Sequence, residues 1–335
     1  MSNYLDDQHR AEISNVLNTF TGRTEWPTWL LIIAFYSAWI GLVFFGQAWG
    51  KLASAGVLLP LAVLWMSIQH ECIHGHPTRW PFINKALGYL PFAIWYPYDL
   101  YRSSHLAHHA DETLTLPGVD PESRYISVEE WERSSGFKRL MLQMNKTVAG
   151  RLVIGVPMAL GALIFADIPK AIVSGGAHLH MWIAHSAGVA IILWTVEQYS
   201  ALSAWEYIVY VSVPALAIGM LRSFYEHRPA ERPEHRSVLN ESRGLFSWLF
   251  LNLNFHLIHH DLPKLPWYFL PTLYSARRQD WIDRSNGYVV GNYRELATRY
   301  LSVPIDHPVH PLVPPPSQEV STATSLEPRR SVQTA

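Results

Sequence analysis

A single cysteine, Cys72, stands in a chain of 335 residues, so no internal disulfide can form and neither a CxxC pair nor a four-cysteine metal site is available. Nothing therefore requires an oxidising compartment. Charge is also sparse. Only 16% of residues are Asp, Glu, Lys or Arg, and the formal net charge is −1, which gives no electrostatic footprint for nucleic acid. GxGxxG, P-loop, Ser-His-Asp and paired-carboxylate motifs are missing, so neither a bound dinucleotide nor a serine nucleophile is suggested. Residues 1–25, with Asp6, Asp7, Glu12 and Glu25, lack an apolar core and a small-residue cleavage site. They read as a polar, cytoplasmic N-terminal segment and not as a secretory signal.

What is abundant is apolar surface: 49% of residues are hydrophobic, with 14 Trp, 16 Tyr and 13 Phe. Two stretches carry no charged side chain, TWLLIIAFYSAWIGLVFF at 28–45 and LASAGVLLPLAVLWMSIQ at 52–69. Each is about 18 residues, or roughly 27 Å of helix, near the thickness of a bilayer's hydrocarbon layer. Trp26, Trp29 and Trp49 stand near their ends as interfacial anchors. Pro60 is tolerable where neighbouring helices meet the carbonyl it frees. Weaker candidates lie at 148–166 (with Arg151), 181–196 (with His185) and 204–221 (with Glu206). Arg151 and Gly155-Val156-Pro157 fit a spanning helix least well, so 148–166 is expected to be interfacial or re-entrant. The expected architecture is all-α and membrane-integral, with about four transmembrane helices and a cytoplasmic helical cap.

Orientation follows from Lys and Arg. Lys51 alone marks the first short loop and 197–203 has none, whereas 71–180 and the segment after Leu221 are rich in both. Both long segments and both termini are then cytoplasmic. The expected domain runs over 26–302. From 303 to 335 the sequence is rich in Pro, Ser and Thr and reads as a disordered tail in which His307 and His310 are inert.

Nine of the 17 histidines form three motifs and one isolated partner. HECIH places His70 and His74 at the cytoplasmic end of the second span. HLAHH holds His105, His108 and His109; HLIHH holds His256, His259 and His260; His227 directly follows the last span. Residues three or four apart share a helix face, so HxxxH aims two imidazoles one way. HxxHH aims two and turns a third toward a neighbouring point. Imidazole suits Fe, Zn, Cu and Ni. Nine ligands exceed one zinc site but match two metals taking four or five each. His76, His178, His180, His185 and His235 read as ordinary hydrogen-bonded histidines. The rival reading of HECIH is a zinc protease with Glu71 as general base, which leaves both HxxHH motifs unexplained.

These residues resemble the membrane fatty-acid desaturase and alkane hydroxylase superfamily, whose mark is HxxxH or HxxxxH followed by two HxxHH boxes. The resemblance covers about residues 26–275. The flanks YRSSHLAHHADETLTLPGVDPES and LRSFYEHR look like a bacterial, hydrocarbon-oxygenase-like branch, which implies a bacterial inner membrane. The resemblance implies two iron ions with O₂ as co-substrate. It implies the ligands His70, His74, His105, His108, His109, His227, His256, His259 and His260. Glu71, Glu226, Asn252 and Asn254 are candidate partners that fix imidazole tautomers.

An alkyl C–H has no acidic proton, so a metal–oxygen oxidant is needed to attack it. Without cysteines for an iron–sulfur centre, or any haem or flavin signature, electrons come from outside, from a ferredoxin, rubredoxin or cytochrome with its reductase. The leading expectation is a fatty acid desaturase acting on a lipid or fatty acyl chain. Same-chemistry alternatives are a hydroxylase and a terminal-alkene-forming decarboxylase, and a membrane metal transporter is the alternative of another class.

Overall fold

The computed structural model describes residues 3–311. Helix α1 (Trp26–Phe45) opens with Pro27 in its first turn, where the missing N–H costs no hydrogen bond. Thr28, Ile32, Phe35, Trp39, Leu42 and Val43 recur at helical spacing and are buried. Its opposite side exposes Leu30, Ile33, Ile40, Phe44 and Phe45. A helix apolar all round needs lipid on its outer face.

Helix α2 (Gly50–His74) becomes more enclosed along its length, and from Ala62 to His74 every residue but Met66 is buried. Phe35 stacks on Trp65 at 4.7 Å, and Phe92 meets Trp65 edge-on at 4.8 Å. Phe92 belongs to an irregular segment packed among the helices. Non-helical backbone at this depth must find hydrogen bonds inside the protein. Side chains supply them: Tyr207 donates to Phe92 O at 2.8 Å, and just before the segment Gln69 donates at 2.9 Å to the carbonyl of Gly88, the last residue of the helix Pro81–Gly88. His185 Nε2 bonds Ile94 O at 3.0 Å. The aromatic core therefore anchors the stretch that leads into helix α3 (Tyr98–His108).

Among the described residues five helices are long and apolar enough to cross a membrane, one more than the sequence reading expects. The added one is α4 (Gly155–Ser174), followed by α5 (Gly176–Tyr199) and α6 (Ala204–Arg222). Arg151 belongs to a separate short helix, Val148–Val153, and Pro157 falls in the first turn of α4. Neither interrupts the apolar run, which explains why 148–166 was the wrong window. The course of α4 is informative. A Cβ on Gly155 would come within 3.0 Å of Met220, near the histidine-side end of α6. Its other end turns at Gly175 and Gly176 into α5, whose far end, Tyr199, meets Phe44 and Gln47 away from the histidines. Both ends of α4 thus lie at the histidine end, and α4 does not join the two ends of the bundle.

Beyond α6 the described chain forms short helices and one parallel pair of two-residue strands, β1 (Leu239–Asn240) and β2 (Val289–Val290). The third histidine box is helix α7 (His256–Asp261). Asp261 anchors it by accepting from Arg284 Nε at 2.5 Å and Nη2 at 2.9 Å. The N-terminal segment packs on this region, with Arg277 donating to Glu12 and Asp6 at 2.7–2.9 Å.

The segment expected as a tail starts out ordered. His310 N donates to Ile126 O at 3.0 Å, Asp306 pairs with Lys146 at 2.8 Å, and His310 is buried against Thr115. Residues 312–335, the rest of that expected tail, lie outside the described residues. Trp65 is 0% exposed at the centre of the aromatic core. Trp65→Ala is expected to destabilise the fold by about 3–5 kcal/mol, read as a lowered thermal midpoint in detergent.

Candidate metal centre

The histidine boxes converge at one end of the bundle. His70 and His74 occupy the last turns of α2, four residues apart on one face, and Gly75 with φ of 99° ends that helix. His105 and His108 lie on α3 with His109 as its C-cap, and His256, His259 and His260 lie on α7. His227 sits beyond α6, held by an antiparallel pairing opposite Ser237. Seven of the nine are buried and His109 and His227 are half-buried.

They sort into two groups, His70, His74, His105, His109 and His259 in one and His108, His227, His256 and His260 in the other. Helix geometry explains the division. In each HxxHH box the residues four apart share a face and a group, His105 with His109 and His256 with His260. The intervening histidine, His108 or His259, faces the other group. The groups adjoin, with the His109 and His260 rings stacked at 4.2 Å.

Within each group Nε2 faces Nε2. His74–His105, His105–His109 and His109–His259 are 3.0, 3.1 and 3.1 Å apart in the first. His108–His227, His227–His256 and His256–His260 are 3.0, 3.0 and 3.2 Å apart in the second. A neutral imidazole has one N–H and one lone pair. A run of nitrogens crowded at this distance needs a proton or a shared cation between the lone pairs, and a metal ion could meet that need for a whole group at once. For a metal about 2.1 Å from each nitrogen, ligands at right angles stand about 3.0 Å apart and tetrahedral ones about 3.4 Å. The spacing of these neighbouring nitrogens is that of ligands around one shared ion. His70 adds a second sign: it is 0% exposed, and neither ring nitrogen has a hydrogen-bond partner.

Outer side chains orient the rings. His108 Nδ1 donates to Asp120 at 2.8 Å, His105 Nδ1 to Glu122 at 3.2 Å, and Ser237 Oγ lies 3.1 Å from His227 Nδ1. Such contacts place the proton on Nδ1 and turn the Nε2 lone pair inward. Asp120 and Glu122 escape sequence reasoning, although both stand in the DETLTLPGVDPE stretch after the second box. Pro117 and Gly118 (φ 76°) make the reversal that returns Asp120 to His108, with Val119 N bonded to Leu116 O at 3.3 Å. Of the four partners expected, Glu226 Oε1 lies 3.5 Å from His256 Nδ1 and Glu71 Oε1 lies 3.8 Å from His70 Nδ1. Asn252 and Asn254 instead donate to backbone carbonyls of Trp267 and Asn240.

Burial and the neighbouring imidazoles push His109, His227, His256 and His259 well below the usual histidine range, so they present neutral rings. Burial also opposes charge on His108, but its hydrogen bond to Asp120 and the nearby carboxylates raise its pKa. Glu71 accepts from Trp267 N at 3.3 Å, and further histidines surround His70 and His74. That is not the three-ligand site of the zinc-protease reading. His76 pairs with Glu25 at 2.8 Å, and neither it nor His185 joins a group.

The sequence pattern of the family described as Fatty acid desaturase matches residues 47–291. The chain belongs to that family, whose members are enzymes, typically iron-dependent, and the family together with the apolar helices makes it a membrane protein. No curated protein matches it. Asp120→Asn is expected to weaken metal retention by about 10–100-fold, measured by metal analysis after dialysis against a graded chelator.

Proposed function

Taking the chain as a member of the fatty acid desaturase family, we propose that it binds two iron ions and oxidises an unactivated C–H bond of a fatty acyl chain with O₂, with desaturation as the leading reaction. The observation that carries this reading is the pair of adjoining histidine groups with nitrogens 3.0–3.2 Å apart. His70, His74, His105, His109 and His259 would hold one ion and His108, His227, His256 and His260 the other. Bound iron supplies the redox chemistry that activates O₂ against an alkyl C–H bond, which no side-chain acid or base can attack.

The chain's own residues do the rest. Asp120, Glu122 and Ser237 hold the rings in register, so the ligand shell needs little reorganisation during turnover. The enclosed histidine end keeps water from the reacting carbon. Reduction of O₂ to two waters consumes four electrons; desaturation draws two from the substrate, and two come from an external carrier. A buried lone cysteine, Cys72, cannot build an iron–sulfur relay, which supports a separate ferredoxin, rubredoxin or cytochrome.

The histidine end faces the cytoplasm in this reading, at a bacterial inner membrane. At the opposite end Lys51 is paired with Glu206 at 2.5 Å, which leaves the Lys and Arg excess on the histidine side. A hydroxylase or an alkene-forming decarboxylase would use the same centre. A transporter fits less well, because the histidines close two pockets at one end and do not mark a path along the helices.

His259→Ala in a lipid-producing host is expected to abolish the unsaturated product while the protein still inserts, as read by mass spectrometry of extracted lipids. Retained product would refute the assignment. Gain of oxygen or loss of carbon dioxide in the wild-type product would replace desaturation by one of the two alternatives.

A further inference from the structure

Helix α6 closes on Arg222, one turn before Glu226 and just ahead of His227. Its Nε lies 3.1 Å from Glu226 Oε1, and the same oxygen lies 3.5 Å from His256 Nδ1. Guanidinium, carboxylate and imidazole thus form a chain of contacts from the end of a membrane helix to the four-histidine group. Glu226 is 5% exposed and His256 2% exposed. Neither Glu226 Oε1 nor His256 Nδ1 completes a hydrogen bond, so the carboxylate stands one small ring movement short of bonding range. Asp120 already makes the equivalent bond to His108.

Arg222 also reaches toward the other histidine group. The Tyr101 hydroxyl is in contact with its guanidinium. Tyr101 stands one turn before His105 on α3, with the two rings 5.7 Å apart. Glu122, the partner of His105, acts on Arg222 at longer range. One cation therefore neighbours side chains that lead into both groups. A carboxylate as enclosed as Glu226 is stable as an anion only beside a positive charge. Its backbone is fixed too, because Val238 N donates to Glu226 O at 3.0 Å. The side chain has few positions to choose from, and the arginine selects the one that faces His256.

Resting on the di-iron reading above, we infer that Arg222 is a positioning residue for one of the two metal sites. It holds the Glu226 carboxylate against His256 Nδ1, which places the ring proton there and keeps His256 Nε2 turned inward to His227 and His260. Asp120 and Ser237 do this for His108 and His227; Arg222 acting through Glu226 does it for His256. Arginine suits the task because its planar fork presents several donors in fixed directions, enough to serve Glu226 and Tyr101 together. An arginine that merely ended a helix would favour the helix dipole and an ion pair one turn away, and would not distinguish between the ions.

The test is graded-chelator dialysis of the purified full-length protein in detergent, loaded anaerobically with ferrous iron. Iron is counted per chain, and Mössbauer spectroscopy tells the two sites apart. Arg222→Gln is expected to weaken retention of one ion by about tenfold or more and to leave the other as in the wild type. Arg222→Lys, which keeps the charge, is expected to recover most of that loss. Glu226→Gln, close in shape, is expected to weaken the same ion, and it keeps the test valid if Arg222→Gln fails to fold. The two substitutions together are expected to be no worse than the more severe one alone, because the side chains act as a unit. Unchanged retention, equal loss of both ions, no recovery with lysine, or additive effects would overturn the assignment. A wild type that binds no pair of irons would instead defeat the di-iron reading on which it rests.

Discussion

Nitrogen lone pairs brought within about 3 Å of each other in a buried site repel unless a proton or a cation lies between them. Eight imidazoles are placed in that relation here, in two adjoining groups, and His70 joins the first of them. Three structural facts depend on it. The rings must be neutral, so burial and mutual repulsion keep most of them unprotonated. The Nδ1 atoms of His108, His105 and His227 have outward partners, Asp120, Glu122 and Ser237. The helices that carry them must end at one depth, because a ring displaced by one helical turn would miss by about 5.4 Å.

The membrane helices meet that last requirement. Helix α2 is buried over its final turns, and the aromatic cluster of Phe35, Trp65 and Phe92 fixes its depth against α1 and the irregular stretch before α3. Helix α6 delivers His227 immediately past its end, and the Arg284–Asp261 pair secures α7 from the opposite side. Because α4 begins and ends at the histidine side, only α5 and α6 join the two ends of the bundle between the second box and His227. An even number of crossings is what lets the boxes meet.

Much of this was legible in the sequence, and the reason is local. Histidine spacing of three and four encodes helix faces without tertiary information, so all nine histidines could be picked out as candidates, while which of them gather in which group is visible only in the structure. The uncharged runs at 28–45 and 52–69 announced α1 and α2 because nothing polar interrupts them. What escaped depends on contacts distant in sequence. Asp120 and Glu122 are ordinary loop acids until the turn at Pro117 and Gly118 brings them back to the rings. Asn252 and Asn254 looked equally suitable, yet the chain spends them on its own backbone. The extent of α4 was misjudged because Arg151 and Pro157 count against a helix in any fixed window, although the chain breaks between them at Ile154. The ordering of 303–311 rests on Ile126, Lys146 and Thr115, which composition alone does not reveal.

Iron K-edge X-ray absorption of the purified protein, with metal stoichiometry on the same sample, tests the central claim most directly. The account predicts two irons per chain, each with a nitrogen-dominated shell at about 2.1 Å and outer-shell imidazole scattering. A sulfur shell, or one tetrahedral zinc in place of two irons, would contradict it.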